Sequence, residues 1–422
     1  YVFDTELVRL SLIIGVVVGL WFYQNYGITV GGAIVPGYLA LFITRPTQIG
    51  VTFTASRVRG RPAFGGELPV ATLAEEILTE GEGQIKAMVV SAGNPVLSTP
   101  NGMQVEKALN QLEFMVAIDI YINETTRHAN IILPPTTGLE TDHYDVVFHN
   151  LAVRNSAKYS PALFEPEAGM MHDWQIFREL RVRMEQNDTR KKSSVKKADM
   201  FARLSPDKIL DLGLRFGPYG GWGGQPISGK NGLKLRHLKE EPHGIDLGPL
   251  QPCLPQRLYT ANKQIQLAPE VLVNDLQRVK TTLLSSPNGT TNGATFSLIG
   301  RRDLRSNNSW MHNSLRLVKG KNRCTLMINP EDAAAQNIQP GQQVRVTSRV
   351  GTVEIEAQLT DDLMPGVVSI PHGWGHHRSD IQLDTAQQYA GVSLNDLTDE
   401  ACLDELTGNA AFSGVLVKIE PM

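Results

Sequence analysis

Two short motifs set polar side chains where an apolar run stops. Met88 to Ala92 runs into Gly93-Asn94-Pro95, and Phe114 to Ile118 runs into Asp119. Backbone N–H groups and a side-chain amide at the first position can hold a phosphate or the edge of a heterocycle. A carboxylate at the second can accept two hydrogen bonds from a base or a ribose. Each also has a plainer use, since Gly-Asn-Pro is a common turn and Asp119 can cap the turn after it. Further along, Gly300-Arg301-Arg302 follows the apolar Phe296 to Ile299, with Asn307, Asn308, Ser309 and His312 behind it. Two adjacent guanidinium groups suit a diphosphate, and surface charge is the plainer reading. Pro371-His372-Gly373-Trp374-Gly375-His376-His377 has the look of a metal site, but no carboxylate or cysteine completes the spacing, so a tight turn is expected. No Ser/His/Asp order, Walker loop or paired-carboxylate signature stands out. The chain offers binding groups and no evident nucleophile.

The elements that would position these groups follow from periodicity. A third apolar run, Asn130 to Leu133, ends in Pro134-Pro135, and helical segments separate the three runs. Strand, helix, strand, helix, strand implies parallel strands with ligands outside their carboxyl ends, where Asn94 and Asp119 both fall. In Asn101 to Leu112, Val105, Ala108, Leu109 and Leu112 recur at helical spacing. In Asp173 to Met184, Phe177, Leu180 and Met184 do the same, with Asp173 placed to cap the amino end. Residues 213 to 256 are rich in Gly and Pro and read as irregular connection, and Ser285 to Thr295 reads as a linker. Val344 and Val346, then Val353, Ile355, Ala357 and Leu359, alternate with polar residues as a strand pair with one buried face. Before them Asn329-Pro330-Glu331-Asp332 opens a short helix, Asn as cap and Pro at the first helical position.

The fold expected is α/β: a partial doubly wound parallel sheet followed by a β-rich barrel domain, with an N-terminal apolar segment. Its parts are an apolar, membrane-like segment at 1–54, an α/β dinucleotide-binding region at 55–212, a Gly/Pro-rich connection at 213–295 and a barrel at 296–422. No Asp, Glu, Lys or Arg occurs from Leu10 to Thr44, long enough for a membrane helix of about 20 residues, so membrane contact through residues 7–44 is expected. The main body is expected to be cytoplasmic, anchored through that segment. A formal net charge of −3 leaves no broad basic surface, which argues against a nucleic-acid partner. The run Arg190, Lys191, Lys192, Lys196, Lys197 reads as a solvated loop. Cys253, Cys324 and Cys402 form no Cys-x-x-Cys pair, so neither zinc, an iron–sulfur cluster nor a disulfide framework is expected. They read as small apolar residues.

Taken in order, Ala92-Gly93-Asn94-Pro95, Asp119 to Thr125, Ala129 to Pro135, Glu140 and Asp173-Trp174 resemble the molybdopterin oxidoreductases, the formate dehydrogenase and nitrate reductase family. Gly300-Arg301, Asn307, His312, Ile328 to Ala333, Pro340-Gly341, Pro365-Gly366-Val367 and Asn395-Asp396-Leu397-Thr398 resemble that family's dinucleotide-binding domain. The resemblance runs from about residue 57 to the end. It implies a molybdenum or tungsten ion held by molybdopterin guanine dinucleotide, acting on a small-molecule substrate. Gly93 and Asn94 would line a dinucleotide crevice, and Asp119 and Asp173 would bond guanine or ribose. Gly300, Arg301, Asn307 and His312 would run along the cofactor, with Asn395 and Phe412 at its pterin end. Thr141 stands where nitrate reductases commonly carry lysine, which weakens a nitrate reductase reading; a formate dehydrogenase-like oxidoreductase is the function expected.

The same comparison implies a chain resembling roughly the second half of such an enzyme, without the cysteine-ligated cluster segment or the residue that ligates the metal. No catalytic residue can then be named. Leu12 to Gly15, Phe22-Tyr23, Gly31-Gly32 and Val35 to Leu41 resemble instead the small membrane subunit of poly-γ-glutamate (capsule) synthase, as though two reading frames were fused. The alternatives are a catalytically inactive, membrane-tethered dinucleotide-binding module or a fusion artefact. An electron-transfer subunit would need cluster cysteines.

Overall fold

The computed structural model describes residues 55–63, 67–146, 148–187, 205–221, 232–256, 258, 260–285 and 295–422. The apolar segment 1–54, the basic run Arg190 to Lys197 and most of the Ser285 to Thr295 linker lie outside the described residues. Among the described residues no helix is long and apolar enough to cross a membrane.

Three parallel strands carry the first half. β1 (Ala87–Ser91) pairs with β2 (Phe114–Ile118), Ala87 opposite Phe114, and β2 pairs with β3 (Ile131–Ile132). The strand sequences are near-continuous apolar runs, as strands buried on both faces require, and four of the five β2 residues are buried. Between β1 and β2 stand two helices, Pro95–Ser98 and Gly102–Leu109. The second is capped by Asn101, whose side chain accepts from the Gln104 N–H at 3.2 Å. Its Val105, Ala108 and Leu109 pack with Ile77, Val90, Val96 and Met115 in one apolar cluster. The helix expected between β2 and β3 is a single 3-10 turn, Thr126–His128.

The segment from Pro135 onward forms small antiparallel ribbons: β4 (His143–Tyr144) with β6 (Tyr159–Ser160), and β5 (Asn155–Ala157) with β7 (Ile245–Gly248). Ala157, Tyr159, Leu214, Leu233, Leu235 and Leu238 make its core. Leu214, Leu235 and Leu238 lie on the helices Pro206–Phe216 and Leu235–Glu240, and Leu233 lies just before the second. The described residues of 213–256 are therefore not simply irregular: Gly and Pro flank short elements whose leucines pack. In the helix Asp173–Asn187, Asp173 is the first helical residue rather than the cap. His172 precedes it and its N–H bonds Gln175 Oε1 at 2.8 Å, half of a capping box. Ile176 is buried there, whereas Met184, expected on the inner face, is exposed.

The C-terminal part closes into a six-stranded barrel from β8 (Thr295–Arg301), β9 (Thr325–Ile328), β10 (Gln343–Thr347), β11 (Thr352–Leu359), β12 (Val367–Pro371) and β13 (Val415–Pro421), ordered β10-β11-β9-β12-β8-β13 with β13 returning to β10. Closure leaves no strand edge open. Alternate residues point inward, so Phe296, Leu298, Leu326, Ile328, Val344, Val346, Val353, Ile355, Val368 and Ile370 fill one core. Asn329 caps the helix Pro330–Ala335 through the Glu331 N–H at 2.9 Å, with Pro330 at its first position. The fold is thus mixed α/β with a parallel sheet and a closed barrel.

Compact units do not follow chain order. The described residues of Thr47–Pro134 and Leu284–Met422 form one unit, and those of Pro135–Leu283 form another.

Candidate functional site

Within the first unit a cavity of about 160 Å3 opens at the carboxyl ends of β1 and β2. Gly93, Asn94, Asp119 and Tyr121 line it from the sheet, and Asn308, Ser309, Trp310, Asn313 and His372 from loops that follow β8 and β12. This is where a parallel α/β sheet offers a ligand its polar groups. Its volume is below the ~300–1,000 Å3 of pockets that bury a whole drug-sized ligand, so it suits one end of an elongated molecule.

The turn after β1 is tightly built. Ala92 has φ 49° and its N–H bonds the Ile118 carbonyl at 2.9 Å, which ties the two strand ends together. A Cβ on Gly93 would meet protein only at 3.7 Å and beyond, so packing does not demand glycine there. Gly373 is different: with φ 106° its Cβ would sit 2.0 Å from the Asn308 carbonyl, so the glycine lets the two loops of the pocket wall touch. Asp119 Oδ1 accepts the Tyr121 N–H at 3.0 Å and Oδ2 accepts Asn123 Nδ2 at 3.3 Å. Asn313 Oδ1 accepts the N–H groups of Thr385 and Ala386 at the start of the helix Asp384–Gln388. Burial, then the Arg302 charge, lowers the His372 pKa below the ordinary imidazole value, so the pocket presents a neutral ring at pH 7.

Behind the pocket lies a chain of buried polar groups. Asn94 Nδ2 donates to Glu124 Oε2 at 2.7 Å, and Asn94 Oδ1 accepts from Thr125 Oγ1 at 2.7 Å. Glu124 Oε1 lies 2.7 Å from His376 Nδ1, His376 Nε2 lies 2.9 Å from His312 Nδ1, and His312 Nε2 lies 2.8 Å from Ser306 Oγ. Glu124 and His376 have no exposed surface, and His312 and Ser306 have 1% and 2%. Burial raises the Glu124 pKa, but the hydrogen bond and charge of His376 and the bond from Asn94 outweigh it and leave it lowered. Burial pushes the His312 imidazole down to about 3, helped by His376. The Trp374 ring packs 4.3 Å from that of His312.

A second cluster braces the helix Gly102–Leu109 against the loop after β12. Arg378 donates to Glu106 Oε2 at 3.0 Å, Asp396 Oδ1 at 2.8 Å and the Gly375 carbonyl at 3.2 Å, and Glu106 also pairs with Arg127. Burial raises the Asp396 pKa against the opposing pull of Arg378.

The candidate residues thus divide. Gly93, Asn94 and Asp119 come together in the pocket. The amide of Asn94, the ring of His312 and the side chain of Asn395, which bonds the Leu97 carbonyl and Thr398, are engaged in buried bonds within the fold. Arg301 spans strands of the barrel, donating to the carbonyls of Ser369 at 2.5 Å and Thr325 at 2.7 Å. Burial lowers its pKa to about 10, so it stays cationic at pH 7. Gly300 leaves room for Leu394, whose Cδ2 would lie 2.8 Å from a Cβ there. Asn307 sits exposed at φ 42°, and Phe412 is half-buried with its carbonyl 3.8 Å from that same Cβ position. Asp173 belongs to the other compact unit. Sequence reasoning passed over Glu124, Ser306, Asn313, His372 and His376 as site groups. The histidine-rich run after β12 was a signal, but it pointed to a turn because its carboxylate partner, Glu124, lies 252 positions away. Among the described residues no group of three or more His, Cys, Asp or Glu is arranged to hold a metal ion.

Residues 23–183 match the family model for molybdopterin oxidoreductase, and residues 296–416 match that of the Molydopterin dinucleotide binding domain. The chain belongs to the molybdopterin oxidoreductase family. The first match begins upstream of residue 57, where the sequence resemblance starts. Among relatives, the assimilatory nitrate reductase catalytic subunit of Bacillus subtilis is 28% identical over 81% of this chain and 43% of its own length. A formate dehydrogenase alpha subunit of Methanocaldococcus jannaschii is 24% identical over 74% of this chain and 42% of its own. The chain therefore spans less than half of these curated relatives. In fold it resembles acetylene hydratase from Pelobacter acetylenicus, at a TM-score of 0.52 and 18% identity, covering 98% of this chain and 52% of that one.

Proposed function

We propose that the pocket at the ends of β1 and β2 receives the nucleotide end of a molybdopterin guanine dinucleotide, and that the chain serves a formate dehydrogenase-like oxidoreductase. The observation that carries this reading is Gly93: the fold has room for a Cβ there, so its absence serves the space in the pocket rather than the packing around it. The donor set fits a nucleotide. Asp119 is an acceptor for guanine N–H or ribose hydroxyls, since an ionised carboxylate can accept about four hydrogen bonds. Ser309 and the amides of Asn308 and Asn313 offer donors, and Trp310, 60% exposed at the rim, offers a stacking face. Asn94, Arg301, His312 and Asn395 support the cofactor from behind, by fixing the strand ends and the barrel loops that form the walls. Asp173 and the pterin-end roles of Asn395 and Phe412 rest on the family resemblance alone.

When bound, the cofactor supplies a metal centre that exchanges two electrons with substrate. This chain's residues bind and orient its nucleotide and present a neutral imidazole at His372. Formate is the substrate proposed, and Thr141 at the position of the nitrate reductase lysine argues against nitrate. Its hydroxyl donates to the Thr137 carbonyl at 3.0 Å.

The test is titration of the purified chain with GDP, read as quenching of Trp310 with a Trp310→Phe control, alongside molybdenum and tungsten analysis and pterin fluorescence after oxidation. Saturable quenching, lost in Asp119→Ala, supports the reading. Absence of GDP binding to millimolar concentration, with neither metal nor pterin in the protein, overturns it.

A further inference from the structure

The row Glu124, His376, His312, Ser306 can be satisfied in two directions. In one, the Ser306 hydroxyl donates to His312 Nε2, His312 Nδ1–H donates to His376 Nε2, and His376 Nδ1–H donates to the Glu124 carboxylate. In the other, His376 carries both ring protons and donates to Glu124 and to His312 Nδ1, and His312 Nε2–H donates to Ser306 Oγ. A backbone carbonyl or N–H at the far end would fix one direction, because it can only accept or only donate. A hydroxyl does both. Both arrangements therefore make every bond in a fully buried row, and they differ by one proton.

We propose that these four residues form a proton relay that takes up one proton at Ser306 and stores it on His376 against Glu124. A proton supplied by water reaches Ser306 Oγ as the serine's own proton passes to His312 Nε2. The Nδ1 proton of His312 then passes to His376 Nε2. Ser306 is left as a hydroxyl, His312 as its other neutral tautomer and His376 as a cation, and the only charge gained is the proton that entered. His312 passes the proton on rather than keeping it, since burial and the neighbouring His376 hold its pKa down to about 3. Glu124 is the counter-charge, and it is the carboxylate in contact with His376. Asp303 favours and Arg323 opposes charge on His312, and these two pair with each other at 3.5 Å, so their effects offset. Trp374 covers the His312 ring.

Both ends of the relay adjoin residues that line the pocket. Glu124 bonds Asn94, which lines the cavity, and Ser306 lies two residues before Asn308, which does too. Proton uptake can thereby compensate a change of charge in whatever occupies the pocket. The relay itself is a property of the unliganded chain and stands apart from the identity of that ligand.

The experiment is histidine-selective 15N labelling of the full chain, with long-range proton–nitrogen spectra that distinguish the two neutral tautomers. His312→Gln and His376→Gln assign the signals, and spectra are taken over about pH 5–8, where imidazoles change charge. The expected result is that His312 passes from the Nδ1–H to the Nε2–H tautomer as pH falls, while Glu124→Gln, whose neutral amide cannot balance a cation, holds one and the same His312 tautomer throughout. Two results would overturn the relay: a single His312 tautomer over the whole range in the wild-type chain, or a Glu124→Gln protein that switches as the wild type does. The wild-type titration decides even if that variant does not fold.

Discussion

Replacing Arg378 by Met should release the helix Gly102–Leu109 from the loop that follows β12. The side chain is about 5% exposed and donates to Glu106, Asp396 and the Gly375 carbonyl. Removing one partner of a buried ion pair typically costs ~3–5 kcal/mol, because the remaining charge stays buried without compensation. Glu106 keeps Arg127, so Asp396, 7% exposed, bears most of the loss. Close packing leaves it little room to relax: a Cβ on Gly102 would already lie 2.8 Å from Asp396 Oδ1. Hydrogen exchange of the 102–109 amides reads this locally, without assuming that the two units unfold together. At ~1.4 kcal/mol per tenfold change, protection should fall by roughly two to four orders of magnitude. The pH dependence has a definite sign. Burial already raises the Asp396 pKa, and loss of Arg378 raises it further, so the folded state binds this proton more tightly than the unfolded chain. Stability of the variant then rises as pH falls through the folded pKa, and its deficit is largest at neutral pH. Arg378→Met/Asp396→Asn should recover part of the loss. A single variant that loses less than tenfold protection, or a double variant that is simply additive, would refute the reasoning.

Gly93→Ala should fold as well as the parent, within ~1 kcal/mol, yet bind GDP roughly tenfold more weakly. Gly373→Ala should lose stability as well as binding, since its Cβ meets the Asn308 carbonyl at 2.0 Å; thermal melts beside GDP titrations separate the two. A thiol reagent should label Cys253 and Cys402, both exposed, and reach Cys324 only on unfolding, because burial pushes that thiol up to about 11. Mass spectrometry of the native protein showing Cys324 labelled at the same rate would contradict this. Asn329→Ala should lower barrel stability by ~0.5–2 kcal/mol through loss of the cap, and Asn329→Asp, which keeps the cap but loses the Nδ2 bond to the Leu363 carbonyl, should also fall below the parent in the same chemical denaturation assay.

Much of the local structure was legible because it depends on neighbours in sequence. The apolar run Phe114 to Ile118 is β2 residue for residue, and Asn329-Pro330 starts its helix where a cap followed by proline must. Alternation at Val344, Val346, Val353 and Ile355 marked the hairpin of β10 and β11. Legibility failed where packing overrides pattern. Gly and Pro in 213–256 signalled irregular chain, but Leu233, Leu235 and Leu238 find a core there. Met184 keeps the helical period and is exposed, because period alone does not say whether a partner surface lies opposite.

The sequence by itself determined which strand ends would carry Asn94 and Asp119, and the order of motifs that places the chain among molybdopterin oxidoreductases. Tertiary structure decided what those residues touch. Glu124 and His376 stand 252 positions apart, as do Arg127 and Ser379, and no periodicity connects them. They meet because the described residues of 47–134 fold into one unit with the barrel that begins after residue 284, while the described residues between them form their own. Burial then turns ordinary polar side chains into a network in which each must find a partner, since an unpaired charge or amide there would cost several kcal/mol.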